Sequence, residues 1–326
     1  MDAVNPLKGK ENTVNRLIIL PLFALALAAL VCQIQFDTPN PASTPPAAST
    51  NTPLPPVPTE TPIPLTPSGM TLDMLKNGTY HAPVYDQTVT LVNGAYSNGS
   101  STDPYSVQML DTVAYGDLNG DGIDDAAIIL VENGGGTGEF ESVVAVLDAG
   151  GAPSPAGQAQ LGDRVKINSM TISAGTIALE MLVQGPNDGM CCPTQPETQS
   201  YRMVGNALWL TRLTSRTPDN QERSITIKTP ADGESITNPF TVSGNVTIAP
   251  FENTLAYRIF LPDGTKVNES TMMVDSGGVS GGPGTFSQNF DLSNAGITGP
   301  IIFQLLDLSA ADGSTLALGS VVLTVH

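Results

Sequence analysis

The spacing of hydrophobic residues changes along the chain and divides it into regions. Residues 17–36 form one uncharged apolar run, residues 37–69 are rich in proline and threonine, and from residue 70 onwards apolar residues fall in short or alternating runs. Alternation of apolar and polar residues is typical of half-buried β-strands, and Gly, Asn, Asp and Pro between such runs are typical of turns. We therefore predict a mainly β protein behind an N-terminal apolar segment.

The apolar run at residues 17–36 is long enough to cross a membrane. As a helix it would span about 30 Å, the thickness of the hydrocarbon core. Because basic residues precede it, we predict a cytoplasmic lead at 1–16, a transmembrane anchor or signal segment at 17–36, and an extracytoplasmic location for everything that follows. An uncleaved anchor, a cleaved signal and lipid attachment at Cys32 remain alternatives, although Cys32 follows Val31 and not the small residue usual in lipoproteins.

Residues 37–69 cannot form a hydrophobic core. Proline fixes φ near −65° and removes a backbone donor, so this Pro/Thr-rich segment is predicted to be a disordered, extended stalk. A proline-rich recognition ligand is the alternative, but such ligands are usually read by cytoplasmic domains.

Two sets of predicted strands follow, at residues 70–215 and 224–326. In the first set only TLDMLKNG has the composition of a short helix, and the rest reads as an antiparallel β domain. The second set contains strand-like runs such as TLAYRIF and PIIFQLLDL, closely spaced as in a β-sandwich. The polar segment 214–224, which contains Pro218, is the predicted boundary.

Charge and composition exclude several functions. Thirty-one acidic against thirteen basic residues give a formal net charge of −18, which argues against nucleic-acid binding because phosphates need clustered basic residues. The only GxSxG pattern, GVSGG at residues 278–282, lies in a glycine-rich run that precedes a predicted strand and not the helix of a nucleophile elbow, and His81 is the only histidine besides His326. We therefore predict that the chain is not an enzyme.

The sequence DLNGDGIDD, residues 117–125, has the spacing of a calcium-binding loop. Side-chain oxygens recur at positions 1, 3, 5 and 9, a glycine at position 6 allows a sharp turn, and position 7 offers a carbonyl. The candidate metal ligands are Asp117, Asn119, Asp121, Ile123 and Asp125. An EF-hand would have Glu at position 12, where this chain has Ile128, and its flanks would be helices.

With its flanks, YGDLNGDGIDDAAIIL resembles the strand–loop–strand calcium hairpin of FG-GAP and VCBS-type repeats. The resemblance implies a structural Ca²⁺ ion held by the Asp and Asn side chains and the Ile123 carbonyl. The motif occurs once, without a fixed repeat, so a propeller is not expected. The alternative is a turn without an ion, since the same residue types favour hairpin turns.

Cys191 and Cys192 are adjacent in GPNDGMCCPTQ. In an oxidising compartment they are expected to form a vicinal disulfide, and two cysteines without a mutual bond are the alternative. Zinc binding and redox catalysis are poorly supported, because no CxxC pair or neighbouring histidine is present.

The second strand set carries a series of turn and strand motifs in a recognisable order. They are Pro230, Ser243-Gly244, Phe251-Glu252, Asp263-Gly264, Phe286, Asp307-Leu308-Ser309 and Asp312-Gly313. In this order the motifs, over about residues 225 to 325, resemble the Gmad2 family, the immunoglobulin-like domain of bacterial spore-germination and sporulation proteins. The resemblance implies an immunoglobulin-like sandwich for interaction or scaffolding, without catalytic residues.

Together these features predict a non-catalytic binding or scaffolding protein of a bacterial envelope. The membrane would be contacted through the N-terminal segment, and an envelope protein or polysaccharide would be the partner. The alternatives are a structural spacer and an extracytoplasmic hydrolase or carbohydrate-acting enzyme in residues 70–215. The enzyme would require a concave pocket in which two or more titratable groups converge.

Overall fold

The computed structural model describes residues 69–326, which belong to one compact unit. The predicted lead, the membrane segment with Cys32, and the stalk up to residue 68 lie outside the described residues. The elements in chain order are helix α1 Leu72–Lys76 and strands β1 Thr79–Ala82, β2 Gln87–Thr90, β3 Ala95–Ser97, β4 Ser106–Gly116, β5 Asp125–Asn133, β6 Phe140–Asp148, β7 Pro153–Asp163, β8 Lys166–Ser173, β9 Thr176–Val183, β10 Gln195–Val204, β11 Ala207–Arg216, β12 Glu222–Arg223, β13 Ile225–Thr229, β14 Ser235–Ile236, β15 Phe240–Val246, β16 Thr254–Phe260, β17 Lys266–Met273, β18 Gly284–Phe290, β19 Gly299–Leu308 and β20 Thr315–Val325. Two 3-10 turns, Phe251–Asn253 and Ser293–Ala295, complete the secondary structure of this part of the chain.

The first strand set is built around the five-stranded antiparallel sheet β3-β4-β5-β6-β7. Its central strand β5 has the sequence DAAIILVEN and is buried almost throughout. Ile128 and Leu130 pack into a core formed with α1 and the β1–β2 hairpin, whereas Ile129 packs into a core formed with β8 to β11. Because both faces of the sheet are covered, β5 is a continuous apolar run and does not alternate.

Strands of both predicted domains share one large sheet, ordered β17-β16-β19-β20-β11-β10-β9-β8, with β12 on β11 and β14 on β20. The junction is the antiparallel contact between β11 and β20, where Leu213 lies opposite Leu318. The boundary predicted at residues 214–224 falls in the short hairpin that joins β11 to β12.

The second strand set forms two facing sheets. The sheet β13-β15-β18 packs against β16, β17, β19 and β20 of the large sheet, and the core between them is rich in aromatic rings. Phe290 contacts Phe240, Tyr257 and Phe303, with ring centroids 4.9 to 5.8 Å apart. Two layers of antiparallel strands over one apolar core are the architecture of an immunoglobulin-like sandwich.

The prediction of a mainly β protein is confirmed, and the short helix expected in TLDMLKNG is α1. Its N-terminus is capped by Thr71, whose hydroxyl accepts a hydrogen bond from the Met74 amide at 3.3 Å. Among residues 69–326, no helix has the length and apolar character needed to cross a membrane.

Candidate functional site

The loop predicted to bind calcium connects β4 to β5. The two strands pair as far as Gly116 opposite Asp125, so the loop is closed at its base by the sheet. Gly120 and Gly122 have φ of +82° and +81°, a region that other residues adopt only at a cost. The two glycines allow the chain to turn twice within nine residues and to direct several side chains to the inside of the loop.

The side-chain oxygens of the loop accept hydrogen bonds from its own amides. Asp117 accepts from the amides of Gly120 at 2.6 Å and Gly122 at 2.9 Å. Asn119 accepts from the amide of Asp121 at 2.9 Å, and Asp121 accepts from the amide of Ile123 at 2.8 Å. The loop is therefore organised around the candidate ligand atoms themselves.

Asp125 is the buried member of the set. Its carboxylate accepts hydrogen bonds from the Leu118 amide at 2.9 Å and the Asp148 amide at 2.8 Å, which ties the loop to the end of β6. Burial raises the pKa of Asp125, and the negative charges of Asp121 and Asp117 raise it further. The charges of Asp117 and Asp121 therefore disfavour the ionised form of Asp125, an effect that a bound cation would remove.

The donor set suits a hard cation such as Ca²⁺, because every candidate ligand is an oxygen and three of them are carboxylates. The carboxylates are not arranged as a closed cage. Within residues 69–326, the structure contains no group of three or more His, Cys, Asp or Glu side chains placed to hold a metal ion. Coordination of an ion would therefore require these carboxylates to converge further than they do here.

The Cys191–Cys192 pair lies in the exposed loop between β9 and β10. The two Sγ atoms are bonded to each other at 2.28 Å. The loop is held by Asp188, whose carboxylate accepts hydrogen bonds from the amides of Gly185 and Thr194 at 2.8 and 2.7 Å and from the Thr194 hydroxyl. These bonds lower the pKa of Asp188. Asp188 thus serves as an anchor for the loop.

One end of the immunoglobulin-like sandwich contains a cleft of about 470 Å³. Its wall includes Phe251, an exposed ring, and the buried Asp307, which binds the Arg223 guanidinium at 2.5 Å. Burial raises the pKa of Asp307, and the positive charge of Arg223 opposes this effect. Met273 and Val279 are further large apolar side chains exposed in this strand set. Sequence reasoning missed the Arg223–Asp307 pair, because its partners lie 84 residues apart.

A smaller polar cleft of about 220 Å³ lies on the large sheet, and Glu180, Glu197 and Glu222 are among its lining residues. The register places Glu180 opposite Thr198, the neighbour of Glu197. Since successive side chains of a strand point to opposite faces, Glu180 and Glu197 face opposite sides of the sheet. These two carboxyl groups therefore do not form the convergent pair that a glycosidase needs.

Two further ring-bearing side chains, those of His81 and Trp209, make local contacts. His81 is exposed, and its Nε2 lies 3.7 Å from Asp86. Trp209 packs against Phe260 with ring centroids 5.2 Å apart and ring planes at 53°. The Trp209 ring thus lies between β11 and β16, which belong to different strand sets.

Comparison with known proteins agrees with the architecture of the second strand set. No curated protein matches the chain. Residues 224–314 match the model of the Gmad2 family, the immunoglobulin-like domain of bacterial spore germination, which confirms the resemblance inferred from the sequence for the C-terminal strands.

Proposed function

We propose that the chain is a non-catalytic binding or scaffolding protein of a bacterial envelope. The observation that carries this proposal is the Gmad2 match at residues 224–314, since the family supplies an immunoglobulin-like interaction domain. The uncharged run at residues 17–36 and the Pro/Thr-rich segment 37–69 support an anchor and a stalk that hold the β strands outside the membrane.

The exposed apolar side chains of the second strand set support a contact surface at one end of the sandwich. Phe251 begins the 3-10 turn that leads into β16, and Met273 ends β17 opposite Thr254, the first residue of β16. Large exposed apolar residues that lie near one another are a feature of protein interaction sites. We propose that this end of the sandwich binds the envelope partner.

Photocrosslinking in cells tests the contact surface. A benzophenone amino acid at position 251 is expected to give one discrete adduct, because the Phe251 side chain is 65% exposed at the proposed surface. The matched control is position 92 in the first strand set, where Val92 is 66% exposed. Equal adduct patterns at the two positions, or none at position 251, would contradict the proposal.

We further propose that residues 117–125 bind a structural Ca²⁺ ion. Asp117, Asn119, Asp121 and Asp125 would hold it through side-chain oxygens and Ile123 through its carbonyl. When bound, the ion would neutralise the repulsion that the charges of Asp117 and Asp121 exert on Asp125. It would thereby stabilise the connection between β4 and β5.

Thermal unfolding with calcium and with EGTA tests this site. The parent is expected to unfold at a higher temperature in calcium, since a ligand that binds only the folded state stabilises it. Asp121→Ala is expected to lose the shift, whereas Asp103→Ala, in a different loop of the same sheet, is expected to keep it. If the parent melts at the same temperature in calcium and in EGTA, the loop is a turn that binds no calcium ion.

A further inference from the structure

Three tyrosines of the first strand set line one surface cleft. Tyr85 and Tyr105 have ring centroids 5.3 Å apart with their planes at 63°, and Tyr96 and Tyr105 have centroids 6.2 Å apart with planes at 61°. Rings inclined in this way form the walls of a corner. They do not form the flat platform on which a sugar ring stacks.

The remaining lining of this tyrosine cleft is polar or small, and it contains no basic residue. The cleft has a volume of about 270 Å³ and is also bordered by Gln87, Asn98, Asp103, Pro104 and Gly134. Asp103 adds a carboxylate to this lining. The volume lies just below the range of pockets for drug-sized ligands, so the cleft suits a small chemical group.

A buried carboxylate behind the rings fixes two of the tyrosines. Glu132 is fully buried, and it accepts hydrogen bonds from the Tyr105 hydroxyl at 3.1 Å and from the Tyr85 amide at 3.2 Å. The Val84 amide donates to it as well, at 3.0 Å. Burial raises the pKa of Tyr105, and the negative charge of Glu132 adds to that effect. The Tyr105 phenol therefore stays neutral and donates to Glu132.

Two of the residues that border the cleft also restrain the rings. Asn98 accepts a hydrogen bond from the Tyr105 amide at 3.1 Å. A Cβ atom at Gly134 would lie 2.3 Å from the Tyr85 hydroxyl, so only glycine permits the observed position of this ring. Such restraints reduce the conformational entropy that a ligand would have to remove on binding.

We propose that the tyrosine cleft binds a quaternary ammonium group. Inclined aromatic rings attract a cation through their negative faces, and alkylated ammonium groups are the ligands that such aromatic cages bind. A quaternary ammonium has no N–H donor, so it needs no hydrogen-bond acceptor, and the nearby carboxylates of Glu132 and Asp103 complement its charge. This inference goes beyond the function proposed above, and it does not depend on calcium at residues 117–125.

Isothermal titration calorimetry on the full chain, dissolved in a maltoside detergent, tests the proposal. The probes are tetramethylammonium, choline and 3,3-dimethylbutanol, which has the shape of choline without the charge. Both cations are expected to bind with EGTA present, and the neutral isostere at least tenfold more weakly. Equal binding of choline and its isostere, or no saturable binding of either cation, would overturn the proposal. Glycerophosphocholine and glycine betaine are titrated in parallel. Tighter binding of glycerophosphocholine would indicate a lipid headgroup as the ligand, and tighter binding of glycine betaine would indicate a free ammonium compound.

Tyr85→Leu removes one aromatic wall while the backbone bond to Glu132 remains. A loss of about 1 kcal/mol of cation–π attraction corresponds to about fivefold weaker choline binding. Tyr85→Phe is expected to keep the parent affinity, because it retains the ring. The matched control is Tyr115→Leu, since Tyr115 is 41% exposed against 40% for Tyr85 and does not line the cleft. If Tyr85→Leu folds and binds choline as tightly as the parent does, the proposed binding site is wrong. The comparison of choline with 3,3-dimethylbutanol on the parent tests the proposal without any variant.

Discussion

At the scale of single residues, Glu197 is a largely buried carboxyl group that borders the small polar cleft on the large sheet. It lies on β10 beside Gln199, whose Nε2 donates to it at 2.5 Å, and Tyr201 continues the chain of hydrogen bonds by donating to Gln199. Burial raises the pKa of Glu197 from its ordinary 4.5 to about 7, although the bond from Gln199 opposes the shift. The ionised form is therefore less stable in the folded chain than in water.

The raised pKa of Glu197 makes the stability of the folded chain depend on pH in a predictable direction. A carboxyl whose pKa is higher in the folded state binds its proton more tightly there, so its contribution to stability declines as pH rises from about 4.5 to 7. Glu197→Gln keeps an acceptor for Gln199 and removes the charge. We expect this variant to match the parent at pH 4 and to be more stable at pH 8, by up to about 3 kcal/mol.

Urea unfolding at the two pH values measures this difference. Glu180→Gln on the neighbouring strand β9 serves as the control, because Glu180 is exposed. It is expected to change stability little at either pH. A stability gain of Glu197→Gln that is equal at pH 4 and pH 8 would mean that the charge is not the cause.

At the scale of elements, the sequence predicts what is determined locally. The strand-like runs and the short helix α1 are present, because apolar spacing and turn residues act within a few positions. The loop at residues 117–125 was identified for the same reason, since its oxygens and glycines are fixed by spacing alone. The burial of β5 on both faces also agrees with its continuous apolar run.

Sites assembled from distant segments were not predicted. The tyrosine cleft brings Tyr85, Tyr96 and Tyr105 from separate segments against Glu132, and no spacing in the sequence indicates that they meet. Likewise, no spacing in the sequence indicates that Arg223 and Asp307 form an ion pair. Such pairs depend on strand register and on the connections between sheets, which are set by packing over the whole unit.

At the scale of the whole molecule, the two strand sets are joined by more than a linker. Leu213 of β11 packs with Leu306 and Leu318 in a small buried cluster of its own. Beside this cluster, the Ser215 hydroxyl donates a hydrogen bond to the Leu316 carbonyl at 2.6 Å. Because β11 and β20 are neighbours in one sheet, loss of either strand set would expose this cluster and the strand edge beside it.

The shared sheet therefore predicts coupled unfolding of the two strand sets. We expect the parent to give a single calorimetric transition. The fluorescence of Trp209, the chain's only tryptophan, is expected to change within that transition, because this ring packs against Phe260 of the other strand set. Leu213→Ala should lower the free energy of unfolding by about 2–5 kcal/mol, the usual cost of removing a buried leucine side chain, and should separate the transitions. Leu72→Ala, at an exposed position, is the control and should leave one transition. Two resolved transitions in the parent would mean that the contact between β11 and β20 is too weak to couple the sets, and that each strand set unfolds as an independent domain.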